Sequence, residues 1–290
     1  MSRDAFIAVD WGTTNRRSYR IERGAVVDTH RDDRGLLAMA GHDWPAEAAA
    51  IRERHGDLPM LIAGMAGSNR GWREVPYVDC PATIDDLASA AVWIEPGRTA
   101  ILPGLAQRSS DRPDVMRGEE VQLFGARAAG LTPSDALLCQ PGTHCKWAEA
   151  RDGAITAFST AMTGELFALL KSHSILAAQL GDAVTSDAAF RSGVARARDG
   201  DLLTALFGIR AAGVLGMRDD TAAASYASGL LIGTDVAAQR VAGRHVHILA
   251  DPQLGALYST AVTDNGGTAI PIDSHAAFVA GIGHLAETLW

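Results

Sequence analysis

Residues 5–9, AFIAV, are apolar or small without a break, and Asp10 follows at once. That is the pattern of a buried strand ending on a polar edge. After the Gly-Thr-Thr of residues 12–14, Arg16, Ser18 and Arg20 alternate with Arg17, Tyr19 and Ile21, the period-two signature of a returning antiparallel strand. Further strands are expected at 59–64, 91–94 and 99–102, and a Gly-rich loop follows the first of these. Residues 118–130 read as a helix, with acids in the first turn, where the helix dipole favours them, and Gly130 placed to end it.

A second unit of the same layout begins near residue 136. An apolar strand (136–139), a Pro-Gly-Thr-His turn, a strand near 145–150, an Arg-Asp-Gly turn and another strand repeat the opening arrangement, a weak internal duplication. The rest is mainly helical, with helices expected at 164–178, 186–198, 201–216 and 221–241. A strand at 245–250, a helix from Pro252 and a last helix at 274–289 complete the pattern. The boundary is expected within 131–135, giving lobes 1–131 and 132–290.

Composition narrows the class. The 290 residues are 47% hydrophobic and 21% charged, as in a globular protein with a substantial core. A formal net charge of −8 argues against a nucleic-acid partner bound through counterion release. No apolar run reaches a membrane span, and the start, MSRDAFIAVD, lacks the layout of a secretory signal. Three cysteines cannot all pair within one chain, which fits a reducing compartment; the expected location is cytoplasmic. Of the basic residues 24 are Arg and two are Lys, so a single Arg is weak evidence of function.

Several residues carry candidate chemistry. Gly12 allows close backbone approach, Thr13 and Thr14 offer hydroxyl and N–H donors, and Asp10 can hold Mg²⁺ through water, a set suited to a polyphosphate. Gly142, Thr143 and His144 form a second such turn; either could instead be a plain hairpin turn. Glu119 and Glu120 could supply a general base, or simply complement a helix dipole. The loop GMAGSNRGW (64–72) offers Ser68, Arg70 and Trp72 to a small polar ligand, with Asn15, Arg16 and Arg17 extending from the first turn. Gly281-Ile-Gly283 mimics a dinucleotide fingerprint but falls inside the last helix. A P-loop and a nucleophile elbow are absent from the sequence. Cys139, His144 and Cys145 lack a CxxC partner, which speaks against zinc.

Four stretches together resemble the 2-dehydro-3-deoxygalactonokinase family of the sugar kinase, Hsp70 and actin superfamily. They are VDWGTTNRRSYR (9–20), GMAGSNRGW (64–72), MRGEEVQLFGA (116–126) and CQPGTHCKW (139–147). The resemblance implies an α/β protein of two RNase H-like, actin-like ATPase lobes with an ATP and substrate cleft between them. It implies ATP- and Mg²⁺-dependent phosphorylation of 2-dehydro-3-deoxy-D-galactonate at its 6-hydroxyl, in galactonate catabolism. Asp10 matches the Mg²⁺-associated acid, Gly12, Thr13 and Thr14 its phosphate turn, and Gly142 and Thr143 the second phosphate motif. In related kinases a catalytic Asp precedes an apolar helix where Glu119 and Glu120 stand here, and Glu119 is favoured as base. Ala-Asp-Pro (250–252) replaces a Gly-Gly adenine turn, which leaves the adenine contacts open. A kinase for another sugar acid, such as 2-dehydro-3-deoxygluconate, and a non-catalytic ATP- and sugar-binding regulator are the rivals. A homodimer is left open.

Overall fold

The computed structural model describes residues 4–217 and 220–290, so the first three residues of the expected N-terminal pattern lie outside it. The chain begins β1 (Ala5–Trp11), β2 (Arg16–Glu22), β3 (Ala25–Asp32), α1 (Trp44–His55), β4 (Met60–Gly64). Then come β5 (Val78–Asp79), α2 (Ile84–Ser89), β6 (Val92–Glu95), β7 (Thr99–Ile101), β8 (Leu105–Arg108), β9 (Pro113–Met116) and α3 (Glu119–Ala128). The second half comprises β10 (Ala136–Gln140), β11 (Cys145–Arg151), β12 (Ala154–Ala161), α4 (Thr163–His173), α5 (Ala188–Ala197), α6 (Leu202–Val214) and α7 (Ala223–Ala238). It closes with β13 (His245–Ala250), α8 (Pro252–Asp264), β14 (Thr268–Asp273) and α9 (Ser274–Leu289).

Two sheets repeat one order. The first runs β3-β2-β1-β4-β7-β6 and the second β12-β11-β10-β13-β14. Each starts as a meander joined by short turns, and its first strand is then flanked by a parallel strand from later in the chain (β1 with β4, β10 with β13). This is the RNase H-like arrangement, used twice, and it makes the internal duplication of the sequence a structural one. β1 lies between β2 and β4, and Ile7, Ala8, Val9 and Trp11 are all buried. A strand covered on both faces reads as a continuous apolar run, as this one does.

The described residues fall into two compact units. One holds the chain up to Asp135 together with Glu149–Phe158 and Ser274–Trp290; the other holds Ala136–Ala148 and Ser159–Asp273. These units differ from the expected division into 1–131 and 132–290 in that Glu149–Phe158 and Ser274–Trp290 fall in the first unit, where α9 packs on α3. The two helices cross where neither has a side chain in the way. A Cβ on Gly125 would stand 1.9 Å from the Ala277 carbonyl oxygen, and one on Gly281 would stand 2.1 Å from that of Val121. Gly281 thus serves helix packing. In the first unit the hairpin tip is also held by Phe158 N, which donates to Gln107 Oε1 at 2.9 Å. The core of the second unit gathers Cys139, Cys145, Trp147, Phe190, Val236, Ile248 and Tyr258 between its sheet and helices.

Candidate active site

The turn after β1 is braced from below. Leu36 N and Leu37 N donate to the carbonyls of Gly12 and Thr13, both at 3.0 Å, and Gly12 N donates to Asn15 O at 2.9 Å. With its carbonyls occupied, the turn presents Thr13, Thr14 and Asn15 outward, all exposed. Among the described residues, the Thr13 and Thr14 N–H groups have no acceptor. Outward N–H and hydroxyl donors on a small-residue turn make an anion seat.

Asp10, Gly64 and the start of α3 converge beside this turn. Gly64 and Gly118 have φ of +91° and +108°. A Cβ on Gly64 would lie 2.5 Å from the Trp11 carbonyl oxygen, and one on Gly118 would lie 3.2 Å from the Gly64 Cα and 3.9 Å from Asp10 Oδ1. Only glycine meets both the backbone conformation and the close approach. Burial pushes the Asp10 carboxyl up, Arg17 pulls it part of the way back and Glu119 adds to the rise, leaving it at about 6. Arg17 stands opposite Asp10 in the β1–β2 register. Burial works against its charge, but Tyr19, which accepts a hydrogen bond from Nη1 at 3.3 Å, and Asp10 outweigh that and hold the guanidinium above its ordinary value.

The two glutamates part company. Glu120 is wholly buried, and Gly118 N donates to both of its carboxyl oxygens at 2.8 and 2.7 Å. Burial, with the like charge of Glu119, raises it to about 8. Glu120 therefore supports the start of the helix from a buried position, a setting unlike that of its neighbour. Glu119 remains partly exposed, and its Oε2 accepts from Arg117 N at 3.1 Å.

Among the expected substrate residues, Arg16 is the one placed inside the fold. Its buried guanidinium pairs with Asp32 at 2.6 Å and Glu47 at 3.0 Å, and lies 4.8 Å from the Trp11 ring centroid. It is committed to tying β2, β3 and α1 together. In the loop after β4, Ser68 is buried and its Oγ accepts from Arg70 N at 3.3 Å, while the Arg70 side chain is exposed. Trp72 is half-buried and stacks on Trp44, which in turn meets Trp11 (centroids 6.3 and 4.8 Å). Trp11 and Trp44 were not among the expected site residues; only the fold brings them under the loop.

In the second unit the Gly142-Thr143-His144 turn docks on the start of α4. Glu165 N donates to Thr143 O at 2.8 Å, His144 Nε2 lies 2.5 Å from Glu165 Oε2, and a Cβ on Gly164 would stand 2.3 Å from Gly142 O. Buried Asp235 holds the neighbourhood rigid by accepting from Trp147 Nε1, Thr163 Oγ1 and Tyr258 OH at 2.9, 2.9 and 2.8 Å. Next to the turn is a mostly apolar pocket of about 260 Å³, lined by Gly142, Thr163, Gly164, Leu231, Asp251, Gln253, Leu254 and Tyr258. Asp251 caps α8, its carboxylate accepting from Gln253 N and Leu254 N, both at 3.0 Å. The Ala-Asp-Pro that replaces a Gly-Gly turn is therefore a helix N-cap followed by proline at the first helical position. That cap signal was readable in the sequence; the pocket beside it was not.

No group of three or more His, Cys, Asp or Glu that could hold a metal ion occurs among the described residues. Mg²⁺ does not need one, because it keeps several waters and is commonly bound by one or two carboxylates plus substrate phosphates. A desolvated Asp10 with a second acid acting on it and a phosphate-type turn alongside fits that mode.

Paired sheets of this order, each with a polar small-residue turn at the end of its first strand, define an actin-like ATPase fold and the phosphotransferase class built on it. Comparison with known proteins makes the class particular. A family model described as 2-keto-3-deoxy-galactonokinase matches residues 10–285. The chain is 37% identical to the "Probable 2-dehydro-3-deoxygalactonokinase DgoK1" of Rhizobium meliloti, over 98% of this chain and 97% of that one. It is 36% identical to the 2-dehydro-3-deoxygalactonokinase of Escherichia coli, over 98% of each. A crystal structure from Sinorhizobium meliloti, described as a candidate 2-dehydro-3-deoxygalactonokinase, superposes with a TM-score of 0.90 at 36% identity, covering 98% of this chain and 99% of that one. The chain belongs to the 2-keto-3-deoxy-galactonokinase family and is a sugar-type kinase.

Proposed function

We propose that the protein transfers the γ-phosphoryl group of ATP to the 6-hydroxyl of 2-dehydro-3-deoxy-D-galactonate, in the cytoplasm, as a step of galactonate catabolism. The observation that carries this reading is the convergence of a partly exposed Glu119, a desolvated Asp10 and the outward Thr13–Thr14 turn at one end of β1. In it, the Thr13–Thr14 turn seats phosphate oxygens and Asp10 holds Mg²⁺ through water. The ion supplies charge neutralisation on the phosphates. Gly142, Thr143 and the apolar pocket take the nucleotide side. Glu119 accepts the proton of the attacking hydroxyl, which asks of the protein mainly positioning and one base. Ser68, Arg70 and Trp72 on the loop, with Asn15 and Arg17, hold the sugar acid, and Arg16 keeps the turn in place behind them. His144, held by Glu165, borders the nucleotide side.

The test is ADP release with Mg²⁺ and ATP across 2-dehydro-3-deoxygalactonate, its gluconate epimer, galactonate and galactose. Turnover confined to the first compound is expected. Preference for the epimer would move the substrate, and ATP binding without turnover of any would replace the kinase by a regulator.

A further inference from the structure

The pocket beside the second turn has an apolar body, with Phe167, Val184, Leu231 and Leu254 in its walls, and Gly142 of the turn belongs to its lining. Five of its side chains are polar: Thr163, Ser228, Asp251, Gln253 and Tyr258. Two of these have given their protons away. Thr163 Oγ1 and Tyr258 OH both donate to buried Asp235, at 2.9 and 2.8 Å. Asp251, as a carboxylate, only accepts, and its Oδ1 holds the first turn of α8 through Gln253 N and Leu254 N. Ser228 Oγ and the Gln253 side-chain amide make no hydrogen bond among the described residues. They are therefore the side-chain donors left to a ligand in this pocket. Ser228 is 6% exposed, whereas Gln253 stands exposed in the first turn of α8.

We infer that Gln253 selects adenine over guanine in this pocket, with the Ser228 hydroxyl donating to a purine ring nitrogen from the buried side. This rests on the reading above that the pocket takes the nucleotide, and deepens it. Gly142 belongs both to the phosphate-type turn and to the pocket lining, so phosphates on the turn bring the base to the pocket. Apolar walls take the faces of either purine and attract without choosing, so the choice has to come from the edges. Adenine offers the N6 amine as donor beside the N7 acceptor, and a glutamine amide matches the pair with its oxygen and its NH₂. Guanine offers two acceptors there, O6 and N7, which leaves the amide oxygen facing an oxygen. Asp251 cannot take over this role, because a carboxylate has no donor for N7. A hydroxyl both donates and accepts, so Ser228 adds affinity for either purine rather than preference.

The test is calorimetric binding of nucleoside diphosphates, which needs no turnover, with ADP, GDP and 7-deaza-ADP as probes. The wild type should prefer ADP over each of the other two. Gln253→Ala should lower the ADP-to-GDP affinity ratio roughly 5–20-fold, the lower range for a bidentate pair because the residue is exposed, and should bring ADP and 7-deaza-ADP within about 2-fold of each other. Gln253→Arg, whose fork fits O6 and N7, should move the preference toward GDP. Ser228→Ala should weaken ADP and GDP alike, roughly 3–10-fold, with their ratio held. An ADP-to-GDP ratio equal to that of the wild type in both Gln253 variants overturns the inference. Val184→Trp, which fills the pocket from a partly exposed wall, separates that failure from failure of the nucleotide reading, because it should weaken all three probes together. If Val184→Trp binds ADP as the wild type does, the base lies elsewhere and both the reading and the inference fall.

Discussion

Glu120→Gln is the perturbation whose magnitude follows most directly from the structure. The carboxyl of Glu120 is sealed under the start of α3, and burial with the like charge of Glu119 holds it at about 8, against an ordinary 4.5. Between those values the folded protein carries a proton that the unfolded chain has released. Stability from this group is therefore fully present below pH 4.5 and is lost progressively as pH rises toward 8. At about 1.4 kcal/mol per pH unit the whole interval amounts to an upper bound of about 5 kcal/mol. The stretch from pH 6.5 to 8 isolates it, because the rise of Asp10 to about 6 is spent by then. Over that stretch the loss from Glu120 is on the order of 1–2 kcal/mol. Glutamine keeps an acceptor for Gly118 N but does not titrate, so it can shift the stability at every pH without a slope of its own. Urea unfolding at four pH values between 6.5 and 8 should show the wild type losing on the order of 1–2 kcal/mol relative to Glu120→Gln as pH rises. Parallel curves would refute the buried, protonated state of Glu120.

Glu119→Gln should lower kcat by about 10²–10⁴ while ATP still binds, read by single-turnover kinetics and calorimetry; an unchanged kcat would remove Glu119 as the base. Arg16→Met should cost up to about 3–5 kcal/mol in urea unfolding, because Asp32 and Glu47 lose their buried partner, although Glu47 keeps Arg34 and Asp32 keeps the Arg34 N–H. Its KM for the sugar acid should not move, and a large rise in KM at full stability would return Arg16 to the substrate. Gly164→Ala places a Cβ 2.3 Å from Gly142 O and must displace the second turn. Its KM for ATP should rise about tenfold with little change for the sugar acid, reflecting how steeply misplacement is felt at such sites; a KM for ATP like that of the wild type would separate this turn from the nucleotide.

Much was legible from local pattern. β1 and β10 are covered on both faces, so their apolar runs stand out, and the polar turns after them follow from glycine and threonine placed at strand ends. Other elements escaped for physical reasons. β3, AVVDTHRD, is an edge strand with no buried residue and no apolar face of its own. α1, WPAEAAAIRERH, buries only Ala48, Ile51 and His55, too few to show a helical stripe. β14 carries Pro271 in its middle, which the edge of a sheet tolerates but a sequence pattern marks as a break.

The sequence alone determined what is local: which residues could seat a phosphate, that an acidic pair opens a helix beside them, and that one structural unit occurs twice. The backbone chemistry of glycine, threonine and carboxylates acts within a few residues, so it can be read in order along the chain. Tertiary structure decided what depends on distant partners. It separated Glu119 from Glu120 by burying one of two adjacent acids with Gly118 N on its carboxyl, and it paired Arg16 with Asp32 and Glu47. It also assigned the last helix to the first unit through a crossing at Gly125 and Gly281. Burial and pairing are properties of neighbours far apart in the chain, and they fix which of several chemically equivalent side chains is free to act.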